Sequence, residues 1–348
     1  MRDSDLEQQW PYVLTLLPAN LEASARESGA LVRARGVPNA EALLRVVLAY
    51  ALSDLSMKDV AAWAEASGLA EITASGVFYR VREAEGWLSE LLGRLLEQEV
   101  PSAQNGVLWA RIVDATVITG PGAQGTEWRA HVLADPATGG FRAVELTDAR
   151  VGESYALHPM RPGEVVLGDR GYARARGIWA ATQRGAEVVV RVNPHAIRLC
   201  GPDRTVLRVL EEEHRVGPTG VMTFDIIIPI PPESATRSHK TWPLSRAIDW
   251  VPARLAAART RRNEVIWVLT TLPADRADPA QVMDLYRLRW QVELLFKRLK
   301  SLLHLDSLPS RQGPTARSWM LARLLGAALA QKLVRPSGAF PPWGYRLR

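Results

Sequence analysis

The stretch YRLRWQVELLFKRLKSLLHL, residues 286–305, sets Arg289, Glu293 and Lys300 three, seven and fourteen residues after Tyr286. At about 100° per residue, a helix gathers these four side chains within an arc of roughly 60°. Leu288, Val292, Leu295, Leu299 and Leu302 fall nearly opposite. One reading is a solvated helix surface. Arg289 with Glu293, and Glu293 with Lys297, are four apart, and such pairs contribute roughly 0.2–0.5 kcal/mol each. Two more carboxylates give the face another purpose. Asp114 is expected to end the β-prone run GVLWARIVDAT, and Asp169 the oily run VVLGD. The carboxyl ends of strands in an open sheet form the crevice where ligands bind. A charge closing an apolar run is costly unless solvated, paired or metal-bound, although an aspartate alone is more often a strand-ending turn residue than a ligand. Together with Glu293 they supply three hard oxygen donors, the ligand type of Mg²⁺ or Mn²⁺. Two such ions roughly 3.5–4 Å apart activate a water or a 3′-hydroxyl and stabilise the leaving oxygen in phosphodiester transfer. Arg289, Lys297 and Lys300 would then face the phosphates.

The elements that must position these groups follow from pattern. Residues 1–100 read as helices. NAEALLRVVLAYALSD has a capping Asn, and LSMKDVAAWAEASG runs from a Ser56 cap to a Gly68 stop. Short helices with Lys58, Arg80 and Arg82 fit a helix-turn-helix that binds DNA, and fit a dimerising bundle as well. Residues 101–194 read as three strands in an antiparallel meander, then strand, helix, strand, with the last two strands buried on both faces. That is a mixed α/β sheet with flanking helices. Residues 195–263 read as a β-rich insertion. Residues 264–348 restore a core strand at NEVIWVLTTLP, then a long helix capped by Asp278 with Pro279 in its first turn, then a final helix.

The whole chain narrows the partners. It has 348 residues, 47% hydrophobic, net charge +6 and a sequence pI near 9.7, a balance that favours a polyanion. Cys200 is the only cysteine, so neither an intrachain disulfide nor a cysteine-rich zinc site is available. No signal pattern opens the chain and no run is apolar enough to span a membrane, so a cytoplasmic protein is expected. No phosphate-binding loop implies ATP. His131 reads as a sheet histidine rather than a substrate contact, and His195, His214 and His239 lack metal-ligand spacing.

The spacing Tyr286, Arg289, Glu293, Lys300, with VDAT around Asp114 and LGDRGY around Asp169, resembles the DDE transposases of bacterial insertion sequences, the insertion-sequence-four family. The resemblance covers about residues 50–330. It implies an RNase H-like core interrupted by a β-rich insertion, an N-terminal DNA-binding region, and a homodimer paired with two element ends in double-stranded DNA. It implies that Asp114, Asp169 and Glu293 are catalytic and hold two Mg²⁺ ions, with Mn²⁺ substituting. Tyr286, Arg289, Lys297 and Lys300 are then phosphate clamps. IWVLTT resembles the strand in which some members carry a tryptophan that stacks on a flipped base, and Trp267 stands in that place. The alternatives are an inactive protein that occupies element ends as a regulator, and an RNase H-like nuclease without strand transfer.

Overall fold

The computed structural model describes residues 3–97, 108–119, 128–136, 140–193, 197–234, 242–260, 262–289, 308–309 and 313–334. Six helices come first: α1 (Asp3–Leu16), α2 (Leu21–Glu27), α3 (Ala40–Leu52), α4 (Met57–Ala66), α5 (Ala74–Glu83) and α6 (Glu85–Glu97). Local chemistry starts and stops them. The Asn39 side chain accepts from the Ala42 amide at 2.8 Å, and Ser56 with Asp59 forms a reciprocal capping box. Gly68 takes φ +66° just beyond α4, a left-handed stop that costs glycine nothing. Arg80 does not offer its charge freely to a partner. Its guanidinium binds the carbonyls of Ala30, Arg33 and Arg35 and so fastens α5 to the loop after α2.

The strands are β1 (Trp109–Ile118), β2 (Trp128–Asp135), β3 (Gly140–Asp148), β4 (Glu164–Gly168), β5 (Glu187–Arg191), β6 (Met222–Ile230), β7 (Asp249–Arg259) and β8 (Val265–Thr270). They form one sheet in the order β3-β2-β1-β4-β5-β8-β7-β6. β1, β2 and β3 are the expected meander, β4 lies parallel to β1, and β5 lies parallel to β4. Helix α7 (Ala175–Gln183) makes the crossover between β4 and β5. The stretch expected as a separate β-rich insertion instead continues the sheet: β7 pairs with β8 through Arg254–Arg259, and β6 closes the edge. The reason is visible in β7, whose Leu255, Ala256 and Ala257 are all buried because both faces of the sheet are covered there.

Each face has its own core. On one, Ile112, Leu167, Val189, Ala256 and Val268 share a cluster with the helices. On the other, Val113, Val166, Val190, Leu255 and Trp267 pack with Ile178 of α7. Helix α8 (Pro279–Leu288) lies on the first face through Val282, Met283 and Leu285, and it starts at the expected Asp278 capping box. The remaining helix, α9 (Gly313–Val334), does not sit beside the sheet alone. It packs against α3, α5 and α6 of the N-terminal bundle. Arg317 ties the two parts together, reaching Glu85 of α6 at 2.5 Å and the Leu146 carbonyl of β3 at 3.2 Å. Among the described residues, no helix is long and apolar enough to cross a membrane.

Candidate active site

Asp114 is not at the end of its strand. β1 runs on to Ile118, but its ladder with β4 stops at Ile112↔Leu167, and beyond that point β1 pairs only with β2. Asp114 therefore stands where the gap between β1 and β4 opens. Asp169 follows the last residue of β4, as expected, and begins the tight turn Arg170–Tyr172, its carboxylate accepting the Gly171 amide at 2.8 Å. Strand alternation carries both aspartates to the face of Ile112 and Leu167, the face on which α8 lies.

The two carboxylates are close enough to repel. Burial pushes the Asp114 carboxyl up to about 6, with Asp169 and Glu153 adding to the rise. The Ala115 amide and the Arg289 guanidinium oppose it. Its side chain is only 15% exposed, and Arg289 stands 3.7 Å from its Oδ2. Thus the C-terminal end of α8 brings Arg289 to the first aspartate, with half-buried Tyr286 one turn before it. Glu293, Lys297 and Lys300 lie outside the described residues.

The chain matches the transposase DDE domain family over residues 106–329. It is 34% identical to the putative transposase InsL for insertion sequence element IS186A of Escherichia coli K12, with 96% of each chain covered. It is also 34% identical, again over 96% of each chain, to the transposase for insertion sequence element IS421 of Escherichia coli. The chain belongs to the DDE transposases of insertion-sequence-four type. Among solved structures, a piggyBac transposase synaptic complex with hairpin DNA aligns with a TM-score of 0.48 and 10% identity, over 85% of this chain and 66% of that one.

As a DDE transposase the enzyme transfers DNA strands and depends on a divalent metal. The residues present fit such an ion. Asp114, desolvated and with the Asp169 carboxylate adding to the rise of its pKa, on one face and at one end of a sheet, gains most from a cation placed between the two. Among the described residues, no three His, Cys, Asp or Glu side chains converge into a complete cage.

Sequence reasoning missed Glu153. It sits in the loop between β3 and β4, half buried, and burial and the nearby Asp169 push its carboxyl up while Arg129 and Arg174 pull it down. No spacing signal marks it, since the loop that carries it has no periodicity. The ring of Trp267, which the resemblance makes a base-stacking residue, lies on the other face of the sheet from Asp114 and Asp169. It is 3% exposed and its centroid is 6.0 Å from that of Phe224. Strand β8 alternates as any strand does, and Val268 rather than Trp267 takes the α8 side. His131 is fully buried, with Nε2 2.9 Å from Thr147 Oγ1, and burial lowers its pKa to about 4. It is a sheet histidine that stays neutral.

Proposed function

We propose that Asp114, Asp169 and Glu293 together hold two Mg²⁺ ions, with Mn²⁺ able to substitute, and that this centre cleaves and joins double-stranded DNA at the ends of the element and in its target. The observation that carries the reading is the convergence of Asp114 and Asp169 beside Arg289. Bound divalent ions supply activation of the attacking oxygen and stabilisation of the leaving one. The chain's own groups do the rest. Asp114 and Asp169 fix the cations at the open gap between β1 and β4. Arg289, 3.7 Å from Asp114 Oδ2, is placed to pair its fork with a phosphate at this site. Tyr286, Lys297 and Lys300 extend that clamp along α8 and the chain after it.

The strand order, a three-strand meander with two parallel strands beside it, supports an RNase H-like core. We take the active form to be a homodimer holding two element ends, acting in the cytoplasm on the nucleoid. The rival reading, a nuclease without transfer, predicts cutting without joining. The test uses a pre-cut end duplex with a free 3′-hydroxyl, a supercoiled target plasmid and Mg²⁺. The full chain yields joined product and the Glu293→Gln variant yields none. Cleavage of intact ends with no joined product at any metal concentration would replace the transposase mechanism with the nuclease.

A further inference from the structure

The loop Gly152–Pro159 is more heavily built than a connection between two strands requires. Arg184, at the end of α7, donates to three of its carbonyls, those of Tyr155, Ala156 and His158, at 3.1–3.4 Å. The His158 ring is buried, with Nε2 3.3 Å from the Tyr172 hydroxyl. Tyr155 is fully buried and fills the space that a Cβ on Gly168 would take. Such anchoring fixes what the loop presents, and it presents Glu153. A Cβ on Gly171 would collide with Glu153 Oε2 and stand 3.1 Å from Asp169 Oδ1. Glycine at 171 therefore lets the two carboxylates approach one another across its Cα.

This arrangement is costly in the free protein. Glu153 has no hydrogen bond or ion pair among the described residues, Arg129 being engaged by the Val151 carbonyl and Arg174 by that of Gly171. The Tyr155 hydroxyl, against Gly168 on the opposite face of the sheet, is buried with no hydrogen-bond partner among the described residues. A half-buried carboxylate facing another carboxylate lacks what hydrated cations bring: positive charge and ordered water.

We propose that Glu153 is a positioning residue of the metal centre, holding the cation's coordinated water rather than the ion itself. The proposal rests on the assignment of Asp114 and Asp169 as metal ligands. It agrees with the lack of a three-residue cage among the described residues, and with the reluctance of Mg²⁺ to shed its waters.

The test measures Mn²⁺ binding to the DNA-free full chain by calorimetry, with thermal melting as a parallel readout. Glu153→Gln keeps the shape and removes the charge. It should raise the Mn²⁺ concentration at half-saturation about tenfold, the size typical of outer-shell ligands, while the metal-free melting temperature stays level or rises. Glu153→Asp should recover part of the affinity. Asp114→Asn should bind far more weakly than either. Mn²⁺ affinity unchanged in Glu153→Gln, alongside its loss in Asp114→Asn, overturns the role of Glu153 alone. A drop in metal-free melting temperature, with Mn²⁺ affinity unchanged in whatever remains folded, assigns Glu153 to the fold and also overturns it. A parent chain that binds no Mn²⁺ overturns the metal assignment beneath it.

Discussion

Asp114 carries the clearest electrostatic consequence among the candidate site residues described. Its folded-state carboxyl titrates near 6 against an ordinary value of 3.8. The folded protein thus binds the proton more tightly than the unfolded chain does. Stability contributed by the neutral form is present at low pH and is lost as pH rises through about 6. In metal-free protein, Asp114→Asn should therefore be the more stable chain above pH 7, by on the order of 2 kcal/mol, with the gap closing toward pH 4. Mn²⁺ should narrow the gap at high pH by stabilising only the parent. Melting curves across that range check both statements, and an Asn variant less stable than the parent at pH 8 without metal would contradict them. Asp114 and Asp169 stood out as candidates because a carboxylate within or closing an apolar strand is costly. Glu153 did not, because the loop that carries it is held by Arg184, some thirty residues on in sequence.

At the scale of elements, the strands and most helix ends were legible, since alternation, caps and glycine stops are local. What escaped was assignment to a layer. Trp267 looks the same in sequence whichever face it takes, and only the register with β5 and β7 turns it from the cleft. Helix α9 shows the same limit. Its apolar residues predicted a helix, yet nothing local says that Trp319, Met320, Leu321, Leu324, Leu325 and Leu329 are buried near helices some two hundred residues earlier. Leu52 of α3 presses so close to Gly326 that a Cβ there would meet its side chain at 2.8 Å. Burying a large apolar side chain contributes roughly 1.5–3 kcal/mol, so losing six such contacts is comparable to the whole of the about 5–15 kcal/mol that stabilises a typical domain. Residues 1–100 alone should accordingly show weak helicity and no cooperative melt, and should not retard DNA at low salt. A fragment that melts cooperatively and binds DNA would show that α9 is dispensable to the bundle.

The whole molecule divides its charge unevenly. Residues 1–100 hold nine Lys and Arg against fifteen Asp and Glu, while the remainder holds 34 against 22. The excess of positive charge thus belongs to the part that carries Asp114, Asp169 and the Tyr286–Lys300 face. Phosphate contacts supply most of the affinity for DNA and are lost as salt rises. Binding and cutting should consequently separate: cations of this part are expected to hold DNA whether or not the carboxylates can hold metal. The most direct measurement is single-turnover cleavage of a labelled duplex carrying the element's own end, with Mg²⁺ or Mn²⁺, by the full chain and by Asp169→Asn, with binding of the same duplex followed in parallel. The account predicts that the parent cuts only with metal, and that the variant binds the duplex as the parent does and leaves it uncut. Cleavage by Asp169→Asn at the parent rate, or by the parent in chelator, would contradict it.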